Sequence, residues 1–241
     1  MVTDDAAGER ALGRATSAEA ADAPLLLVPL GAVEQHGPHL PLDTDARIAS
    51  AVAAASASAL ADRGVPALVA PALSYGASGE HEGFAGTVSI GTEALTRVLV
   101  EYGRSASGWA RRVVFVNGHG GNVEAARAAV DLLVYEGRDA AWVPCAPRPG
   151  ETGLPAPDAH AGRIETSLLL HLTPELVRLE RAEPGTSGSI AQLLPRLRAE
   201  GVRGVSPNGV LGDPTGASAD EGRALFEAIV RAVVARVSGD A

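Results

Sequence analysis

Short apolar runs alternate along this chain with longer segments in which apolar residues recur at helical spacing. The apolar runs end at Gly, Pro or polar residues, which is typical of strands buried on both faces of a sheet. The strands predicted in this way are residues 25–30, 67–73, 112–116 and 140–144. Helices are predicted from apolar spacing or Ala-rich composition at residues 46–60, 92–110, 123–136, 162–172 and 220–237.

The order of these elements predicts the fold class. Strand and helix alternate, which favours right-handed crossovers and a three-layer α/β/α fold with a largely parallel central sheet. We expect one domain over residues 23–241, preceded by a flexible tail over residues 1–22. The Gly/Pro-rich residues 201–216 are predicted to form a long surface or interface loop.

Composition excludes several classes of protein. The net charge of -9 disfavours nucleic acid and anionic membranes as partners. The single Cys145 cannot form an internal disulfide, as expected in a reducing compartment. The acidic N-terminal stretch lacks an apolar signal core, and the longest apolar runs are shorter than the ~20 residues of a membrane-spanning helix. We therefore expect a cytoplasmic protein.

The first candidate site follows the first predicted strand. Glu34 and His36 are two residues apart, so in an extended segment both side chains leave the same face and can approach one ion. His39, Asp43 and Asp45 follow closely, and Asp45 could bridge a second ion. The alternative is structural, with Glu34 capping a turn and His36 a satisfied polar group at a strand end.

Two further polar segments also follow predicted strands. In 118–122, His119 stands among glycines at the start of a helix, which suits a ligand, although a tight turn capped by Asn122 or a phosphate-binding nest has the same pattern. In 158–167, His160 precedes a helix whose first turns contain Glu165. The structural alternative there is Asp158 as a cap and Glu165 as an ordinary acidic residue near a helix N-terminus.

Histidine placement connects these segments. Five of the six histidines lie in loop segments with Gly, Asp or Glu neighbours: His36, His39, His81, His119 and His160. Parallel strands bring their carboxyl ends to one edge of the sheet, where ligands bind. One crevice would therefore gather these segments into a dinuclear metal site.

Three ordered motifs resemble the creatininase family. They are Glu-x-His-Gly-x-His-Leu-Pro with Asp45 nine residues after its first His, then Gly-His-Gly-Gly-Asn, then His-Ala-Gly-x-x-Glu-Thr-Ser. The resemblance covers residues 25–172. It implies Glu34, His36, Asp45 and His119 as ligands of two divalent ions (Zn, Fe or Mn), with Asp45 bridging them, and His160 as the catalytic histidine.

The sequence departs from creatininase itself at two positions. Creatininase has a glutamate ligand where this chain has Gly121, and the resemblance to other members implies that Glu165 replaces it as a ligand. Creatininase also has a tryptophan over the bound substrate where this chain has Ala156. Creatinine is therefore not the substrate that we expect.

The loop over residues 75–87 is most similar to the mycofactocin-system peptidase branch of the family. This similarity implies a hydrolase that cleaves a modified precursor peptide near its C-terminus and releases a cross-linked Val-Tyr unit. Glu165 would complete the metal coordination, His160 would protonate the leaving amine, and Ser78, Glu80 and His81 would line the substrate cleft. The family also implies a closed homo-oligomer, with a hexamer as the expected form.

Two rival functions fit parts of the same sequence. A cyclic-amide or formamide hydrolase would use the same site on a smaller substrate. A phosphate- or nucleotide-binding regulatory module would use the glycine-rich turns as anion nests and would bind no transition metal.

Overall fold

The computed structural model describes residues 8–21, 23–148, 150–151, 153–155 and 158–239. In chain order its helices and strands are α1 Ser17–Ala20, β1 Leu25–Leu30, α2 Thr44–Ala61, β2 Leu68–Val69, α3 Thr92–Ala106, β3 Arg112–Asn117, α4 Val123–Tyr135, β4 Ala140–Pro144, α5 Arg163–Leu172, α6 Ile190–Val205 and α7 Ala219–Ser238. None of the helices in these ranges is long and apolar enough to cross a membrane.

The four strands form one parallel sheet in the order β2-β1-β3-β4. Side chains of β1 alternate between its two faces. Leu25 and Leu27 pack with α2, α5 and α7, whereas Leu26, Val28 and Leu30 pack with α3 and α4. Because both faces are covered, the strands are continuously apolar. The predicted three-layer α/β/α fold is confirmed.

The second predicted strand is too long. The sequence pattern predicts residues 67–73, but the ladder contains only Leu68 and Val69. Pro71 has no N–H to donate to a ladder, and the chain touches β1 again only where the Leu73 N–H donates to the Pro29 carbonyl. Helix α3 is likewise shorter than predicted and ends at Ala106, where Ser107 and Gly108 turn the chain.

The N-terminal segment differs in part from the expected flexible tail. Residues 8–21 form two short 3-10 turns and α1, and Ala11 is buried and bridges to Val69. An apolar contact with the sheet edge therefore holds this part against the domain. The remainder of the predicted tail, residues 1–7 and 22, lies outside the described residues.

The predicted loop over residues 201–216 is also different. Residues 201–205 are the last turn of α6, which bends at Gly201 (φ 65°). Gly209 and Leu211 are buried, and Leu211 forms an antiparallel bridge with His160. Apolar side chains at Val210 and Leu211 draw this segment inward, so it packs beside the candidate site and is not a surface loop there.

Helices α5 and α7 cross with unusually little space between their backbones. A Cβ atom on Gly222 of α7 would lie 1.8 Å from the Ser167 carbonyl oxygen of α5. Backbone atoms cannot move aside as a flexible side chain can. The absence of a side chain at Gly222 is therefore what allows α7 to hold α5, the helix that contains Glu165.

Replacing this glycine tests the contact. Helix propensity alone would make Gly222→Ala more stable by about 1 kcal/mol, but we expect a loss of about 1–3 kcal/mol in the free energy of unfolding because the helices must separate. Chemical denaturation measures this. The matched control is Ala224→Gly, an exposed position of α7, where only the propensity loss of about 1 kcal/mol is expected. A neutral or stabilising Gly222→Ala would contradict the packing account.

Candidate metal centre

Five acidic and imidazole side chains from four segments meet at the carboxyl end of the sheet. Glu34 and His36 come from the connection between β1 and α2, Asp45 lies in the first turn of α2, His119 follows β3, and Glu165 lies in the first turn of α5. The crossovers of a parallel sheet bring these sequence-distant segments to one edge. All five residues that the sequence predicts as ligands are thus gathered in one place.

The side chains form two groups that share Asp45. His36, Asp45 and Glu165 offer ligand atoms within 4.8 Å of one another, and so do Glu34, Asp45 and His119. His36 Nε2 lies 3.2 Å from Asp45 Oδ1, whereas His119 Nδ1 lies 3.4 Å from Asp45 Oδ2. The two oxygens of one carboxylate therefore face two different groups, which is the arrangement of a bridging ligand.

Because this cluster is buried, keeping its carboxylates ionised without bound cations costs free energy. Glu34, His36 and Asp45 are fully buried, and both Glu34 oxygens and Asp45 Oδ2 lack a hydrogen-bond donor within the described residues. An ionised carboxylate in such a position must be paired or must coordinate a metal. Carboxylate and imidazole ligands suit divalent ions such as Zn, Fe and Mn. The residues present therefore fit a two-cation site.

The protonation equilibria reflect the same crowding. Burial raises the pKa of Glu34 to about 7 and that of Glu165 to about 7, against the lowering effect of nearby imidazoles. For His36, burial opposes protonation, but the adjacent Asp45 raises its pKa to about 10. In His81, burial and the neighbouring imidazoles lower the pKa to about 3. Strongly displaced values of this kind mark functional sites more often than structural ones.

Glu165 is held in place by the turn that precedes α5. Its Oε2 accepts a hydrogen bond of 2.6 Å from the Ala161 N–H and lies 3.9 Å from His36 Nε2. Ala161 is buried at φ 51°, a left-handed conformation that non-glycine residues rarely adopt. Asp158 supports the same turn, since its Oδ2 accepts from the Ile164 N–H. The helix start is thus fixed by local contacts that aim Glu165 at His36.

The packing around Gly121 explains why a side chain is absent there. A Cβ on Gly121 would lie 2.3 Å from the Ala77 carbonyl oxygen, 2.5 Å from His119 Nε2 and 2.8 Å from Glu80 Oε1. The segment that follows β2 occupies the space that a residue-121 side chain would need. A glutamate ligand at this position is therefore sterically excluded, whereas Glu165 reaches the cluster from the opposite side.

The side chain of Asn122 does not cap α4. Its side-chain oxygen accepts from the Ala77 N–H, and its side-chain nitrogen donates to the Gly31 carbonyl, both at 2.9 Å. The residue is buried and joins three connections at the sheet edge. Its role is to hold the segment after β2 against His119.

Not every polar residue singled out in the sequence joins the cluster. Asp43 pairs with Arg47 Nε at 2.7 Å, and His39 Nε2 contacts Thr166 Oγ1 at 2.8 Å, behind Glu165. Ser78 is fully buried and lies 3.4 Å from His119 Nε2, and its neighbours Ala77 and Gly79 line the cleft. Ala156 lies outside the described residues.

Glu80, His81 and His160 do border the open cleft. His81 Nε2 lies 3.3 Å and His160 Nδ1 lies 3.7 Å from Glu34 Oε1. His160 forms a third possible ligand group with Glu34 and His36. Its Nε2, however, is 2.8 Å from the Gln35 carbonyl, so only Nδ1 is directed toward the cluster.

Two residues of the site were not found from the sequence. Gln35 contacts both His81 and His160, and Gly209 accepts a hydrogen bond from the Gln35 side chain. Gln35 lies between two predicted ligands, Glu34 and His36. In the sequence, only this position could have indicated that Gln35 belongs to the site. Gly209 gave none, because its segment was predicted to lie on the surface.

The chain is similar to known proteins over most of its length. The family model described as "Creatininase: Creatinine amidohydrolase" matches residues 13–237. The chain is 58% identical over 217 residues to the mycofactocin precursor peptide peptidase of Mycolicibacterium smegmatis, covering 89% of this chain and 84% of that one. It is 31% identical to the creatinine amidohydrolase of Pseudomonas putida, with 87% and 86% of the two chains covered.

The fold is also similar to that of solved structures. The structure "Creatininase Mn" superposes with a TM-score of 0.78 at 27% identity, covering 96% of this chain and 98% of that one. Its name includes manganese, an ion that the carboxylate and imidazole groups described above could hold.

Metal counting distinguishes Glu165, which lies near His36, from Glu80, the glutamate beside Gly121. We expect the protein to bind about two divalent ions per chain, as a shared carboxylate between two ligand groups implies. Glu165→Ala should keep about one, because the group of His36 and Asp45 loses its third ligand. Glu80→Ala, the matched control, should keep both, because Glu80 Oε1 reaches only His119 Nε2, at 3.8 Å.

The measurement is elemental analysis of each variant after dialysis against buffered Zn or Mn. Loss of an ion in Glu80→Ala with full metal in Glu165→Ala would reverse the assignment.

Proposed function

The chain belongs to the creatininase family, and on that premise we propose that it is a metal-dependent peptidase acting on the modified mycofactocin precursor peptide. It hydrolyses an amide bond near the peptide's C-terminus and releases the cross-linked Val-Tyr unit. The observation that carries this proposal is the 58% identity to a mycofactocin precursor peptide peptidase over 89% of the chain. The candidate metal centre supplies the chemistry.

The size of the cleft leaves room for a peptide substrate. The cleft beside the metal centre has a volume of about 1130 Å³, somewhat above the ~300–1000 Å³ typical of small-molecule pockets. It extends from His119 and Glu165 between helices α4 and α6. One wall is the apolar face of α6 formed by Ile190, Leu194 and Leu197. An extended chain passing the cluster would have room on this side.

The residues that would hold the ions are Glu34 and His119 on one side, His36 and Glu165 on the other, and Asp45 between them. Bound divalent ions would supply Lewis-acid polarisation of the scissile carbonyl and a nucleophilic water at neutral pH. The protein provides a buried, preorganised set of ligands. Glu165 is oriented for its part by the Ala161 N–H.

We assign the proton transfer to His160. Its Nδ1 faces the cluster, and its pKa is held well below the usual range by burial and the neighbouring imidazoles. A neutral Nδ1 can take a proton from water as the oxygen–carbon bond forms. The same proton then passes to the amine nitrogen as the carbon–nitrogen bond breaks, so His160 begins and ends the reaction in one state.

A substrate comparison tests the proposed function. We expect the metal-loaded protein to hydrolyse a peptide ending in the cross-linked Val-Tyr unit, with creatinine and formamides converted at least about 100-fold more slowly, a difference of about 2.7 kcal/mol in transition-state stabilisation. Product formation is followed by mass spectrometry. Preferred turnover of a small amide would favour the cyclic-amide alternative. Binding of phosphate ligands by a protein without metal would favour the regulatory module.

The apolar wall of the cleft gives a second test. We expect Leu194→Asp to raise KM for the peptide about 10-fold, since a charge would replace an apolar contact worth roughly 1–2 kcal/mol, and to leave metal content unchanged. The control is Val65→Asp, because Val65 has the same exposed fraction, 38%, and does not border the cleft. Equal KM values for Leu194→Asp and the wild type would exclude α6 from peptide binding.

A further inference from the structure

Gln35 lies at the centre of the site but is not one of the predicted metal ligands. It lies between Glu34 and His36, and its side chain is buried. Its Oε1 accepts a hydrogen bond of 2.9 Å from the Gly37 N–H, and its Nε2 lies 3.0 Å from the Gly209 carbonyl oxygen. The same Nε2 lies 2.9 Å from His81 Nδ1. One side chain therefore connects the ligand segment, the 206–218 connection and a cleft histidine.

The orientation of the Gln35 amide is fixed by two backbone groups of opposite polarity. The Gly37 N–H needs an acceptor, and the Gly209 carbonyl needs a donor. In a flipped amide the NH2 group would face the Gly37 N–H, so that two donors would meet. The amide oxygen would face the Gly209 carbonyl, so that two acceptors would meet. The NH2 group thus points to Gly209 and His81, and its two hydrogens are used by these two acceptors.

This orientation determines where the proton of His81 lies. Because Gln35 Nε2 donates to His81 Nδ1, that ring nitrogen must carry a lone pair. In the neutral ring the proton is then on Nε2, which lies 3.3 Å from Glu34 Oε1. The protonated Nε2 of His81 therefore lies beside Glu34 Oε1, whereas Glu34 Oε2 lies 3.2 Å from His119 Nε2.

The main chain of the same residue determines the proton of His160. His160 Nε2 lies 2.8 Å from the Gln35 carbonyl oxygen, which can only accept. The proton must be on Nε2, so the 3.1 Å approach of Gln35 Nε2 to this nitrogen joins two donors and is not a hydrogen bond. His160 Nδ1 is left with its lone pair facing Glu34 and the cleft.

We propose that Gln35 is a positioning residue that fixes both cleft histidines in the Nε2-protonated tautomer, His81 through its side-chain amide and His160 through its carbonyl. The two rings face Glu34 with different nitrogens, His81 with Nε2 and His160 with Nδ1, so the same tautomer has two consequences. His160 presents a proton acceptor to the reacting groups, and His81 presents a donor. Only the effect on turnover rests on the proposed peptidase function, because the tautomers follow from the contacts alone.

The test combines histidine NMR with kinetics. Long-range nitrogen–proton correlation spectra of the Zn-loaded protein labelled with 15N-histidine give the tautomer of each ring, with signals assigned from His81→Gln and His160→Gln. In the wild type both rings should be protonated on Nε2. In Gln35→Met, His81 should populate the Nδ1-protonated form, whereas His160 should stay unchanged because the residue-35 carbonyl remains.

The kinetic result separates positioning from a general structural effect. We expect Gln35→Met to lower kcat on the cross-linked peptide about 10–100-fold, the usual cost of losing a partner in the outer shell of a metal site. KM and the metal content should stay within about twofold of wild type. Gln192→Met is the control, because Gln192 is the other glutamine of the chain and is exposed.

Several results would overturn the proposal. One is a wild-type spectrum in which His81 or His160 is protonated on Nδ1. This result would refute the proposed tautomers even if Gln35→Met fails to fold. Another is an unchanged His81 tautomer in Gln35→Met, or an unchanged kcat. A wild type that does not cleave the peptide would refute the proposed function, while the spectra would still decide the role of Gln35.

Discussion

Glu34 and Asp45 are removed from water together, and among the described residues only histidines lie within ion-pair distance of them. Burying a carboxylate without a compensating charge costs several kcal/mol. Glu165 adds a third carboxylate at the edge of the cluster. In the part of the chain that the structure describes, no arginine lies within ion-pair distance of these three carboxylates, so bound divalent cations are the compensation that the site would accept. The surrounding contacts serve to hold the carboxylates in position for them.

The fold meets this requirement by fixing each ligand segment from behind. Asn122 joins the segment after β2 to the end of β1. Because Gly121 has no side chain, that segment has room beside His119. On the other side, α7 presses against α5 at Gly222, and the strained Ala161 presents its N–H to Glu165. Contacts on one side of the cluster therefore exclude a side chain at Gly121, and a separate set of contacts on α5 holds Glu165.

The sequence predicted well those features that depend on local pattern. The bounds of β1 and β4, the central parts of the five predicted helices and the parallel sheet follow from apolar periodicity. The gathering of Glu34, His36, Asp45, His119 and Glu165 follows from their places after strands, together with the ordered motifs.

Other features depend on contacts between distant segments, which a local pattern does not contain. The sequence could not indicate that Gly209 would be buried against Gln35, or that Ser78 would lie behind His119. The apolar run at 67–73 suggested a full strand, but the effect of Pro71 on the ladder outweighed its apolar character. Helix α6 was not predicted, because its amphipathic spacing is interrupted by Pro195 and Gly201. The apolar wall of the cleft was missed with it.

The central claim is that Asp45 bridges two cations, one held with Glu34 and His119 and the other with His36 and Glu165. Anomalous diffraction from crystals of the Mn-loaded protein, collected on both sides of the Mn absorption edge, tests it most directly. The account predicts two anomalous peaks on opposite sides of the Asp45 carboxylate, the second of them in contact with Glu165. A single peak, or a second ion that is bound without Glu165, would contradict it.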